Sequence, residues 1–434
     1  MLADKIVRSL CRLILLAAVC LCCGTELRSQ SSDQDLLAQL SADFARLQPQ
    51  TVRPAQGYIK HPYLIPSGYY DQMWDWDGFF IGAHWANQKP ADAALLRDWA
   101  ISFASSADSE GYVAGCITPT GPRPLFGKFA MKPFLAQGAL LAAERLNDYE
   151  WIGPIWPQMR RVLDYRRKTQ YDERWGLWFW DNAMQSGADN NPALSNDPKD
   201  RSSILAVDAS VWAMREYRAM AVLADHLGHA DQAAEYRRQA NGTKQAILKN
   251  LWLKDEAIFL NRRRDNGKWI RVITWTSFVP LADGMISQKD GKRMILGHLM
   301  NIAEMQGPFG YRSLAKNDPA YNNKAIINPY SNWQGPIWVN ANYLDWIALR
   351  RYGFKEQSLW LAERLAAAIH RDIAKWGSMH EDYNPETGDG LAPTLEQSPG
   401  GKFAGFVGWN LLAEDMLQCE ATGQHCMTLD IEGR

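Results

Sequence analysis

The amino-acid sequence predicts an all-α fold, a toroid of six helical hairpins, and three observations carry that prediction. Apolar residues recur at the 3.6-residue spacing of helices, without the alternation that marks the strands of a sheet protein. Helices apolar along one stripe alternate with helices apolar all round. Short connections alternate with long ones of about 15 to 30 residues, a length that compact domains reserve for functional loops.

Taken in order, Leu36, Leu37, Leu40, Phe44 and Leu47 form the first stripe. A long linker leads to a helix over 78–85 with apolar residues on every face, and a short link at 87–90 leads to a stripe of Leu95, Leu96, Trp99 and Phe103. The alternation continues through 133–146, where Pro133 suits a first turn, then 156–167, 205–227, 233–251 and 277–285. The last rounds pair 294–302 with 334–350 and 359–373 with 406–417. With striped helices outside and uniformly apolar ones inside, every long connection falls at one end of the ring, so one rim carries the chemistry. An open helical solenoid is the alternative, and the lack of a fixed repeat period counts against it.

The 434 residues are 47% hydrophobic and 22% charged with a net charge of -1, the balance of a globular protein without a general pull toward nucleic acid or an anionic membrane. Nineteen Trp are more than a core of this size needs, and flat aromatic faces suit sugar rings. Lys5, Arg8 and Arg12 precede the apolar run 13–19 and the stretch 20–24, which reads as a signal peptide over residues 1–24, too short to span a bilayer. The expected destination is the periplasm, the extracellular space or the outer membrane, the last through a lipid on Cys20 or Cys23, the one membrane contact expected. Residues 31–421 read as a single domain and 422–434 as a tail. Outside the leader only Cys116, Cys419 and Cys426 remain, with no paired CxxC motifs, which argues against structural zinc; Cys419 and Cys426 suit a small disulfide.

Two long loops hold the acids of interest. The loop 171–203 contains Trp175, Trp178, Trp180, Asp181 and then Gln185 to Pro192 with Asp189; the loop 375–403 contains His380, Glu381, Asp382 and Tyr383. A single loop acid is commonly a turn or cap residue. Two carboxyls over one aromatic-walled cleft are what hydrolysis of a glycosidic bond needs, with no metal or cofactor: one protonates the leaving oxygen, the other activates water. The stretch 69–80 adds Tyr70, Trp74, Trp76, Asp77 and Phe80. Asp77 fits either an N-cap or a sugar-hydroxyl ligand, and the density of acids and Trp around it favours the ligand. The stretch 328–340 adds Trp333, Gln334, Gly335 and Trp338, the last equally suited to core or wall.

These motifs, in this order over about 69–412, resemble glycoside hydrolase family 63 and the related trehalases. Trp76-Asp77-Gly78-Phe79-Phe80 is similar to the family's Trp-Asp-Ser-Tyr-Phe element, and Lys132 to Gln137 to its Pro-Pro-containing helix start. Gln185 to Pro192 resembles Glu-Ser-Gly-x-Asp-Asn-Ser-Pro, and Trp333 to Asn340 resembles Trp-Arg-Gly-Pro-x-Trp-x-Asn. His380-Glu381 with Pro385, Thr387 and Gly388 resembles the loop of the general base. The resemblance implies an (α/α)6 barrel and an inverting α-glycosidase, with Asp189 as general acid, held protonated, and Glu381 as general base, held ionised. It extends sugar contact to Tyr70, Trp74, Trp76, Asp77, Phe80, Lys132, Gln137, Trp180, Gly187, Asn190, Trp333, Gln334, Gly335, Trp338 and Tyr383. Gln185 and Gln334 depart from the family's Glu and Arg, which bears on substrate positioning and not on the two carboxyls.

Members of about this length include hydrolases of mannosylglycerate and glucosylglycerate, and others trim α-glucosides from oligosaccharides. The leader favours an α-glucoside or α-mannoside met outside the cytoplasm, with the glycerate conjugates or trehalose as alternatives. Lys132, Arg123 and Arg271 are candidate carboxylate binders or ordinary loop cations. Sugar 2-epimerases share the barrel, but their paired histidines have no counterpart among the eight scattered His here. A barrel that only binds glycans is the non-enzymatic alternative.

Overall fold

A computed structural model describes residues 34–68, 70–124, 129–195, 203–325, 331–392, 403–424 and 426. The expected leader and most of the expected tail lie outside the described residues.

The stripe of Leu40, Phe44 and Leu47 is buried, and 34–47 forms α1. There follow α2 (Asp75–Gln88), α3 (Ala93–Ser105), α4 (Leu135–Leu146) and α5 (Ile152–Gln170). A single turn, α6 (Ala183–Ser186), interrupts the next connection before α7 (Val207–His226) and α8 (Ala230–Asn250). A 3-10 turn (Trp275–Phe278) runs into α9 (Val279–Ala282), and α10 (Gln288–Met294) continues as a π-helical turn (Ile295–Leu299). The chain closes with α11 (Val339–Arg351), α12 (Lys355–Trp376), and α13 (Leu412–Thr422) entered through a 3-10 turn.

Packing separates the two rings. Twelve of the 14 residues of α2 are buried, against four of the 21 in α8, so α2 is surrounded by protein and α8 faces it with one stripe. The inner helices pack in sequence, α2 on α4, α4 on α7, α7 on α9, α9 on α11 and α11 on α13; α13 then returns to α2, and the (α/α)6 barrel is closed. At that seam His84 Nδ1 lies 3.2 Å from Asp415 Oδ1, and Gln88 Nε2 donates to the same oxygen at 2.9 Å. Gly78, in the first turn of α2, lets the outer helix approach: a Cβ there would lie 2.5 Å from the Trp99 ring.

The connections 48–74, 106–134, 171–206, 251–274, 300–338 and 377–407 run from outer to inner helices and share one rim. They carry short antiparallel strands. Leu177–Trp180 pairs with Tyr171–Asp172 and with Ile204–Leu205, which pairs with Arg262–Arg263; Met73–Trp74 pairs with Cys116–Thr118. Strands of two to four residues are too short to show alternation in a sequence, and none was expected.

Several helix boundaries differ from expectation, among them α2 (Asp75–Gln88 against 78–85), α9 (Val279–Ala282 against 277–285), α13 (Leu412–Thr422 against 406–417) and the three that follow. Pro133 precedes α4, which begins at Leu135. The helix expected from Gln334 begins at Val339, because Gly335 stands before Pro336, a position pushed away from helical geometry, and takes φ 156°. The helix expected over 294–302 starts earlier and ends in the π-helical turn. Cys419 and Cys426 form a disulfide, and Cys116 is buried and free. Among the described residues no helix is long and apolar enough to cross a membrane.

Candidate active site

The site grows from the first turn of α2. Asp75, buried, accepts hydrogen bonds from the Trp76 backbone N–H (2.7 Å), the Lys132 backbone N–H (2.7 Å) and Lys132 Nζ (3.1 Å). The connection before α4 is thereby pinned to the start of α2, with Lys132 Nζ 5.1 Å from the centre of the Trp76 ring. Asp77 lies inside the helix rather than at its cap, which is Trp74. Burial pushes the Asp77 carboxyl up to about 8; Lys132 opposes this, and the nearby charges of Asp75 and Asp189 add to it.

Asp189 is delivered by the next connection. Asn182 accepts from the Gln185 N–H and caps α6, and Gly187 ends that turn at φ 87°. Gly187 passes so close to the first turn of α2 that a Cβ would lie 2.7 Å from Lys132 Cε and 2.9 Å from Trp76 Cζ2. The acid loop is then docked on the connection before α11. Asn190 Oδ1 accepts from the Trp333 backbone N–H at 2.6 Å, and Gln334 Nε2 donates to the Asn190 carbonyl at 3.0 Å. Asp189 keeps part of its surface open and accepts from Ser331 Oγ at 2.9 Å. Loss of water around its carboxyl pushes it up to about 7, against the Ser331 hydrogen bond and the Lys132 charge.

Glu381 comes from the connection after α12. His380 is held by Asp372 through its backbone N–H (2.8 Å) and Nδ1 (2.9 Å), and Tyr383 exchanges backbone hydrogen bonds with Ile337 at 2.7 and 3.0 Å. Glu381 is buried between these anchors, with Tyr70 Oη donating to Oε1 at 3.4 Å. Burial first, then the charges of Asp382, Asp77 and Asp189, hold its carboxyl well above the usual range; Tyr70 opposes them. Burial likewise pushes Asp382 up to about 8. Burial thus raises the carboxyls of Asp189 and Glu381 alike, and each neighbouring acid adds to the effect on Glu381.

Aromatic rings frame this cluster. The Trp76 ring centre is 5.8 Å from that of Trp333, 5.5 Å from Trp409 and 6.4 Å from Phe80. Trp333 stacks on Trp338 at 3.9 Å, and Tyr70 meets Trp74 and Phe406 edge-on.

The structure thus brings Tyr70, Trp76, Asp77, Lys132, Gly187, Asp189, Asn190, Trp333, Gln334 and Glu381 around one carboxyl cluster, with Trp74, Phe80 and Trp338 packed behind. Four expected sugar contacts stand elsewhere. Gln137 donates to the carbonyls of Pro133 and Trp212 and accepts from Arg215 Nε at 2.9 Å. Trp180 is buried with its indole N–H on both oxygens of Asp208. The Tyr383 hydroxyl donates to Asp372 at 3.1 Å, and Gly335 packs on the Asn322 carbonyl. These residues brace the rim because their polar groups are used by neighbouring elements. Arg271 is exposed and paired with Glu256, and the Arg123 side chain is exposed, so neither joins the cluster.

Sequence reasoning missed Asp75, Ser331, Asp382 and Trp409 as members of the site. Asp75 and Asp382 flank assigned acids in motifs already singled out, which was the available signal. Ser331 likewise lies in the stretch 328–340, two residues before Trp333, whereas Trp409 carried no signal. Among the described residues no group of three or more His, Cys, Asp or Glu is arranged to hold a metal ion.

A family model described as the mannosylglycerate hydrolase MGH1-like glycoside hydrolase domain matches residues 70–403. The chain is 28% identical over 184 residues to a mannosylglycerate hydrolase of Rubrobacter radiotolerans, covering 42% of this chain and 38% of that protein. It is 22% identical over 302 residues to a probable mannosyl-oligosaccharide glucosidase of Schizosaccharomyces pombe, covering 62% and 35%. The matches therefore span little more than a third of either relative. The fold is similar to that of a mannosylglycerate hydrolase from Thermus thermophilus crystallised with glucose, with a TM-score of 0.65 at 17% identity, covering 88% of this chain and 99% of that one. With the family model covering most of the sequence, the chain belongs to the family of mannosylglycerate hydrolase MGH1-like glycoside hydrolase domains.

Proposed function

We propose that the protein is an inverting glycosidase of α-glucosides or α-mannosides. The observation that carries this reading is the convergence of Asp77, from the first turn of α2, with Asp189 and Glu381, from two separate connections, on one buried cluster walled by Trp76 and Trp333. Family membership supports it. In this reading Asp189 gives its proton to the glycosidic oxygen as the bond to the anomeric carbon breaks. A water attacks that carbon from the opposite face, and Glu381 takes the water's proton. Glu381 acts in the state from which its proton has left, which the Tyr70 hydroxyl favours. Asp77 accepts a sugar hydroxyl, and the Trp76 face packs on the ring.

The test is incubation with α-linked disaccharides and small α-glycosides, including mannosylglycerate and trehalose, with the first-formed anomer read by proton NMR. The β-anomer of the released sugar is expected. The α-anomer in the sugar whose anomeric carbon held the cleaved bond, or binding of these compounds without cleavage, overturns the reading; from trehalose, whose leaving glucose keeps its α configuration, equal α- and β-glucose is the expected result.

A further inference from the structure

The carboxyl of Asp189 is gripped by a relay that starts in the aromatic wall. Trp333 Nε1 donates to Ser331 Oγ at 3.0 Å, and Ser331 Oγ donates to Asp189 Oδ2 at 2.9 Å. A serine hydroxyl has one proton to give. With the indole N–H already on its oxygen, that proton is committed to Asp189. The indole itself is fixed: its ring lies 3.9 Å from Trp338 at an interplanar angle of 6°, and Trp338 Nε1 is anchored on the Asn332 carbonyl at 2.9 Å. The hydrogen bonds of Asn190 to the Trp333 backbone and to Gln334 tie the same two segments together beside the relay. Ser331 and Trp333 are buried, so the bond between them is shielded from water, and the Ser331–Asp189 bond lies at the edge of that buried wall.

We propose that Ser331, oriented by Trp333, is a positioning residue: by donating to Oδ2 of Asp189 it leaves Oδ1 as the oxygen that carries the proton delivered to the glycosidic oxygen. This rests on Asp189 being the general acid. The geometry gives the relay a second effect. As the proton leaves Oδ1, negative charge grows on the carboxyl, and the hydrogen bond at Oδ2 strengthens because its acceptor is becoming an anion. The interaction is thus stronger in the transition state than in the bound substrate, and its loss falls on kcat rather than KM.

The test uses Ser331→Ala, Ser331→Thr and, as a milder lesion, Trp333→Phe, which removes the indole N–H. Aspartate labelled with 13C at its carboxyl is titrated by NMR, and Asp189→Asn assigns the Asp189 signal. In Ser331→Ala the Asp189 midpoint is expected to rise by about one pH unit, the effect of losing a hydrogen bond to an ionised group. The value of kcat is expected to fall about tenfold, with KM changed less than about twofold. Trp333→Phe shifts the midpoint in the same direction by less, and Ser331→Thr restores the parent value. An unmoved midpoint in Ser331→Ala, with or without loss of rate, overturns the proposal. Full activity in Asp189→Asn would instead sink the acid assignment while leaving the titration result standing, so the two failures are distinguishable.

Discussion

Ionisation of Asp189 makes ionisation of Glu381 harder, although the two residues come from different connections of the ring. The coupling places them in one electrostatic unit with Asp77.

Asp189→Asn and Glu381→Gln are each expected to lower kcat by about 1,000-fold or more, within the range that removal of a general acid or base produces. Melting curves close to the parent's would show that the loss is chemical. Steady-state rates on whichever α-glycoside the parent cleaves decide the matter.

Stability is expected to fall as pH rises. Asp77 and Asp382 are raised to about 8, and Asp189 and Glu216 to about 7, from 3.8 for Asp and 4.5 for Glu in the open chain. The folded protein therefore holds protons that the unfolded chain has released. This contribution is full below the open-chain values and is lost as pH climbs through the folded ones, at up to about 1.4 kcal/mol per pH unit for each group. Calorimetry between about pH 5 and pH 9 should show a declining melting temperature. Asp77→Asn, neutral at every pH, should flatten that decline and be the more stable protein at the alkaline end.

Gly187→Ala is expected to cost about 1 to 3 kcal/mol, because an L side chain is strained at φ 87° and the new methyl meets Lys132 and Trp76. Displacement of Trp76 should lower kcat as well. Urea titration and steady-state rates on the same variant report the two effects separately.

Arg312 joins two connections. It donates to Glu386 through Nε and Nη2 at 3.0 and 2.6 Å and to the carbonyls of Ile302, Glu304 and Gln306. Arg312→Met fills the space and strands these acceptors, and a loss of about 2 to 4 kcal/mol is expected in urea unfolding. Since the 377–407 connection also carries Glu381, activity should become heat-labile before the helices melt.

How much of this was legible in the sequence depends on distance along the chain. The stripe of Leu361, Leu365, Ile369 and Ile373 and the all-round burial of α2 are local patterns, and both rings follow from such patterns. The start of α11 was misplaced because the Gly335–Pro336 geometry overrides an otherwise helical composition. Asp189 and Glu381 were singled out through the motifs around them, whereas the contact of Ser331 is legible only once Asp189 and Trp333 are placed beside it. Trp180 and Gln137 were read as sugar contacts through the family resemblance, but which buried partner takes an indole or amide N–H is decided by packing between remote segments.

The return of α13 to α2 sets the order of assembly. A chain emerging from the ribosome can stack its hairpins one after another, yet the wedge between α2 and α11 stays open until α13 arrives. During that interval the apolar sides of both helices face solvent, and contacts spanning nearly the whole length of the polypeptide are still unmade. Lesions at the His84–Asp415 seam are therefore expected to raise the yield of aggregated protein more than they lower the melting temperature of molecules that have already closed.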